Sequence, residues 1–160
     1  MDTKTDRAAV LDGFGEPFEI RAFPAAAPGD GEVVASVSFG GICGTDVHLR
    51  EGRLPVPLPL VFGHEGVGVV AELDGEIRDA GGHLLEAGDA ITWASNIPCG
   101  RCRACRVDGQ RTLCPDRRIY GINQRADVSP YLSGSWAERI VLQPGSTIVR
   151  RTELALAAGA

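Results

Sequence analysis

Between Pro98 and Pro115 the sequence reads CGRCRACRVDGQRTLC, and its four sulfurs, at Cys99, Cys102, Cys105 and Cys114, constrain the fold more than any other stretch. Two Cys-x-x-Cys steps followed by a longer interval fit a closed, tetrahedral zinc site, with Zn–S bonds of about 2.3 Å and no open position for substrate. The competing reading is a redox-active Cys-x-x-Cys pair, but that motif belongs beside a βαβ pattern, and none is legible here. A structural zinc lobe is therefore expected over residues 95–118 or thereabouts. The chain's fifth cysteine, Cys43, makes an odd number for a disulfide framework,.

The segment MDTKTDRAAV has no apolar core of signal-peptide length, and no stretch is long and apolar enough to span a bilayer,. These features predict a soluble, cytoplasmic protein in a reducing compartment, without a membrane partner. The formal charge of −5 opposes phosphate backbones at the level of the whole surface,. Arg101, Arg103, Arg106, Arg111, Arg117 and Arg118 surround the cysteines, so a four-cysteine zinc module for nucleic acid is a rival reading,. The acidic total and the scarcity of aromatic residues for base stacking weigh against it,.

Around the lobe, 160 residues with 44% apolar content can bury one substantial core, and a single domain over residues 1–160 is expected,. With 21 glycines, 10 prolines and no long helical period, the fold class is mainly β, an α+β arrangement of short strands and short helices,. EVVASVSF puts Val33, Ala35, Val37 and Phe39 on one strand face, and TDVHLRE predicts a short helix,. Thr45 or Asp46 is its expected cap, and Gly52 suits the left-handed residue past its end,. LPVPLPL reads as an extended loop leading into one strand, LVFGHEGVGVV,. GGHLLEAGDAITW turns into another strand, SWAERIVL alternates once more, and TELALAAGA from Thr152 reads as a further helix,.

Two residues in LVFGHEGVGVV, His64 and Glu65, are costly to bury,. An imidazole and a thiolate such as Cys43 are ligands that a catalytic zinc accepts, in a site that needs three protein ligands and one exchangeable position. From the residues alone other roles stay open. Cys43 could be a small buried hydrophobe, Thr45 a helix cap and His48 a surface helix residue.

The motifs GEVVASVSFGGICGTDVHLREG, LPLVFGHEGVGVV, EAGDAI, the four-cysteine lobe and SGSWAERIVL occur in this order over nearly the whole chain. In them the chain resembles the N-terminal, GroES-like catalytic domain of the zinc-dependent medium-chain alcohol dehydrogenases. The resemblance implies a distorted, partly open β-barrel with short helices and the four-cysteine zinc lobe. It implies that Cys43 and His64 ligate a catalytic zinc, with Glu65 beside them as a carboxylate that supports a ligand or joins the coordination. Asp46 then orients a ligand, Thr45 receives the substrate's proton and His48 passes it to solvent. The implied partners are NAD or NADP, a small-molecule alcohol or carbonyl, and further copies of the full-length chain in a homo-oligomer. The family's third catalytic ligand and its glycine-rich Rossmann βαβ unit have no counterpart before Ala160, so this chain alone is expected to be inactive. The alternative is a non-catalytic GroES-like zinc-binding module.

Overall fold

The computed structural model describes residues 4–151, arranged as three antiparallel sheets with short helical segments. Strand β1 (Thr5–Leu11) turns its alternate residues Asp6, Ala8 and Val10 inward, as a strand with one covered face must,. It pairs with β2 (Glu19–Pro24) on one edge. Strand β3 (Val33–Gly40) leads through a tight turn into α1 (Gly44–Arg50), and the proline loop then carries the chain to β4 (Leu60–Val61), which pairs with β1.

The stretch LVFGHEGVGVV is not one strand. It divides into β4 and β5 (Gly66–Leu73), and β5 lies in a different sheet, paired with β3 and with β6 (Ala90–Trp93). Gly63, at φ +93°, makes the break; this left-handed conformation suits glycine and cannot continue a strand,. His64 and Glu65 therefore occupy a corner between sheets rather than a strand interior.

After β6 the chain forms the cysteine lobe. It contains β7 (Asn96–Ile97), α2 (Arg103–Arg106), a 3-10 turn at Arg111–Leu113 and β8 (Arg118–Ile119), which pairs with β7. Strands β9 (Arg139–Leu142) and β10 (Ile148–Arg150) complete a five-stranded sheet of order β10-β6-β5-β3-β9. The described sheets do not join into a closed cylinder.

The core explains two departures from the expected alternation. One apolar cluster takes Val33, Ala35, Ile140 and Leu142, while a second, on the opposite face of the same sheet, takes Val34 and Val141. Consecutive residues of β3 and β9 are thus buried on both faces, although β9 lies at the edge of its sheet, because apolar clusters cover the sheet on either side. Farther along β3 the pairing with β5 shifts between Val37 and Phe39, and Phe39 emerges 56% exposed instead of joining the inner face. A bulge re-aims every side chain beyond it.

A third cluster, Leu11, Leu49, Leu60 and Phe62, fastens α1 to β4. The cap of α1 is neither Thr45 nor Asp46 but Cys43, whose extended backbone precedes the first turn. Gly52 does close the far end, at φ +72°. The expected helix from Thr152 lies outside the described residues, and no described helix is long and apolar enough to cross a membrane.

Candidate metal centres

In the lobe, the sulfurs of Cys99, Cys102, Cys105 and Cys114 all lie within 4.8 Å of one another. Short local bonds gather them. Cys102 precedes α2 and its carbonyl accepts the Cys105 amide at 3.2 Å, while the Cys99 amide donates to Cys114 Sγ at 3.3 Å. The backbone amide of Arg101, then that of Cys102, brings the Cys99 thiol down to about 6, whereas desolvation pushes Cys105 up to about 12. Four thiolates this close repel one another unless a cation compensates them. An all-sulfur set at this spacing fits zinc, and it leaves no position open.

The second cluster is built where two chain segments meet. Cys43 Sγ lies 3.2 Å from His64 Nε2, and Glu65 brings a carboxylate oxygen within the same 4.8 Å envelope. Two zinc ligands at bond lengths of about 2.3 Å for sulfur and 2.0 Å for nitrogen would stand about 3.5 Å apart at the tetrahedral angle, close to the separation found.

Asp46 connects both halves. As the third residue of the helix it completes a capping box, accepting the Cys43 amide on Oδ2 at 2.8 Å, while Oδ1 faces His64 Nδ1 at 3.4 Å. The latter pair is a close approach without hydrogen-bond alignment, and both atoms are buried with no hydrogen-bond partner. Asp46 is 3% exposed, a costly place for a carboxylate unless it faces a proton donor or cation,. From there it can fix the orientation of the His64 ring, the part a carboxylate plays behind a histidine that binds a metal,. The donor set of thiolate, imidazole and carboxylate fits a divalent zinc ion.

Cys43 Sγ also accepts the Thr45 amide at 3.3 Å, so the helix start aims an N–H at the sulfur. Thr45 is half-buried and His48 exposed, with His48 Nδ1 3.5 Å from Arg53 Nη1. Their spacing of three puts them on one side of α1. Sequence reasoning brought Cys43, Asp46, His64 and Glu65 forward, but it did not single out Ser135 and Trp136. These residues bond directly to the backbone beside the cluster: Ser135 Oγ donates to the Glu65 carbonyl and Trp136 Nε1 to that of Gly41. A side-chain bond to a backbone carbonyl leaves no trace in spacing or periodicity. His83, to which the sequence assigns no role, lies beside Asp79, at 3.3 Å.

The β domain carries two clusters of candidate metal-ligating side chains with different donors, one all-cysteine in the lobe and one of Cys, His and carboxylate at the corner. Residues 29–152 match the alcohol dehydrogenase GroES-like domain, and the chain belongs to that family of zinc-dependent medium-chain dehydrogenases. It is 38% identical over 109 residues to an L-threonine 3-dehydrogenase of Deinococcus radiodurans, a match covering 66% of this chain and 30% of that protein. It is 36% identical over 131 residues to an alcohol dehydrogenase of Rhizobium meliloti, covering 79% of this chain and 36% of that one. Its fold superposes on the crystal structure of an alcohol dehydrogenase from Thermotoga maritima with a TM-score of 0.90 and 39% identity, over 94% of this chain and 41% of the other. The mainly β, GroES-like architecture is thereby established. The chain spans about a third of the length of the curated relatives it matches.

Proposed function

We propose that residues 1–160 are the catalytic-domain portion of a zinc-dependent NAD(P) alcohol dehydrogenase, which oxidises an alcohol or reduces a carbonyl by hydride transfer. One observation carries this reading: the sulfur of Cys43, the imidazole of His64 and the carboxylate of Glu65 converge from a helix start and a sheet corner to within 4.8 Å. When bound there, zinc supplies a Lewis acid that lowers the pKa of an alcohol hydroxyl.

The remaining steps belong to this chain's own residues. Cys43 and His64 hold the ion, and Asp46 holds Cys43 through its amide and faces the far nitrogen of His64. Glu65 is exposed beside them, free to support a ligand or enter the coordination. Thr45, with a hydroxyl that both donates and accepts, takes the substrate's proton, and His48, exposed on the same side of α1, releases it to solvent,. Cys99, Cys102, Cys105 and Cys114 close a structural zinc site that takes no part in the chemistry,. NAD or NADP binds on a second domain, and a homo-oligomer is the expected state of the longer enzyme.

The test is a steady-state assay with primary and secondary alcohols and NAD or NADP. A polypeptide joining this chain to its nucleotide-binding domain turns over, and it loses that activity with Cys43→Ser or His64→Gln; the 160-residue chain alone shows none. Turnover by the chain alone, or full activity in the longer Cys43→Ser enzyme, would overturn the reading.

A further inference from the structure

The candidate ligands of the second centre sit on two separate segments, one ending at Cys43 and one running from Gly63 to Glu65, and a third segment grips both. Along it, the Ser135 amide donates to the Gly63 carbonyl at 2.8 Å and the Trp136 amide to that of Phe62 at 2.9 Å. Those two bonds use backbone alone, and most residues could make them. The side-chain bonds are different. Ser135 Oγ donates to the carbonyl of Glu65 at 2.7 Å, the residue after His64, and Trp136 Nε1 donates to the carbonyl of Gly41 at 2.9 Å, two residues before Cys43. The Gly41 amide closes the ring by donating to the same Glu65 carbonyl at 3.0 Å.

We propose that Ser135 and Trp136 are positioning residues whose side chains form a clasp that sets the spacing of Cys43 and His64, and with it the affinity of that centre for a divalent metal. The inference rests on the reading of Cys43 and His64 as metal ligands. Two ligands on separate segments bind well only if something holds the segments to within about half an ångström, and the clasp joins them directly. It lies flush against the corner. A Cβ at Gly63 would come 2.4 Å from Ser135 Oγ and 2.5 Å from Trp136 Cδ1, so no side chain fits between clasp and ligand turn. Ser135 is 2% exposed, which commits its hydroxyl to a protein partner,. Trp136 also packs edge-on to Phe18 and tilted over Phe62, fixing the indole that reaches Gly41.

The experiment is a cobalt(II) titration of the 160-residue chain, followed by visible absorption, in wild type, Cys43→Ser, Ser135→Ala and Trp136→Phe. The wild-type chain takes up two equivalents, and Cys43→Ser removes one, which assigns the second centre. Ser135→Ala and Trp136→Phe each weaken cobalt at that centre by about tenfold to a hundredfold, the range found when groups that hold metal ligands are removed. Both keep the four-cysteine site, and the thermal midpoint falls by no more than about 4 °C, the cost of one buried hydrogen bond in a domain of this size. Second-centre affinity unchanged in both variants overturns the clasp while leaving the metal reading intact. Parallel loss at both centres together with a larger fall in midpoint makes the two residues merely structural and also overturns it. A single equivalent in wild type, with a spectrum that Cys43→Ser does not alter, overturns the metal reading itself and the clasp with it.

Discussion

At the scale of single residues, the candidate site depends on groups that each serve two partners. Asp46 is the clearest, because one oxygen accepts the amide of Cys43, the cap of α1, and the other faces His64. Sequence reasoning identified Asp46 through the resemblance, and His64 through its misfit with an apolar run. The sharing was hidden by one capping residue: moving the cap from Thr45 or Asp46 to Cys43 turns Asp46 from the start of the helix into its third residue. A second carboxylate, Asp79, organises the turn that holds Gly81 and His83. Its carboxyl is held below the usual range chiefly by the His83 amide; desolvation opposes this, and the Arg150 and Gly81 amides and the His83 ring reinforce it. A carboxyl lowered by folding stabilises the protein above its unfolded value of about 4, and that contribution is lost as pH falls through the lower folded value. We expect Asp79→Asn to be less stable than wild type at pH 7 and to lose stability less steeply between about pH 5 and 2 in urea unfolding. Parallel pH curves would contradict the assignment.

At the scale of elements, helix α1 was legible and its cap was not. The residues of TDVHLRE carry helix signals, but a cysteine as cap is outside the usual set of serine, threonine, aspartate and asparagine. Here Cys43 completes a capping box and accepts the Thr45 amide. Serine can keep that bond while removing the thiolate. Cys43→Ser should therefore stay within about 0.5 kcal/mol of wild type in metal-free unfolding, whereas Cys43→Ala should lose about 1 kcal/mol, the cost of a missing cap. Equal stabilities would show that the cap contributes nothing. The strand LVFGHEGVGVV was misjudged for a different reason. Apolar runs reveal burial but not which sheet does the burying, and here two sheets share the run across Gly63. The cysteine lobe has the opposite balance, since its spacing was fully legible while its helix α2 buries no residue. An element with so little core is expected to order only when the four cysteines bind a metal,. Chelation should speed amide exchange across residues 99–114 and leave the paired amides of β3 and β5 protected. Uniform exchange before and after chelation would show that the lobe stands without metal.

At the scale of the molecule, two apolar clusters back to back across the five-stranded sheet and a third beneath α1 make a rigid frame for the corner at His64. Composition announced the mainly β class, and the order of the motifs announced the family. Long-range placement was not legible, because the contacts that complete the corner join residues up to 95 positions apart, as Trp136 joins Gly41. The chain matches about a third of the length of those dehydrogenases. On the function proposed above, Cys43 and His64 hold a cation between them. Anomalous diffraction at the zinc edge, from crystals grown with excess zinc, tests it most directly. We expect one peak among the four lobe sulfurs and a second about 2.3 Å from Cys43 Sγ and about 2.0 Å from His64 Nε2. A peak in the lobe alone, with the sulfur of Cys43 and the ring of His64 still in direct contact, would contradict it.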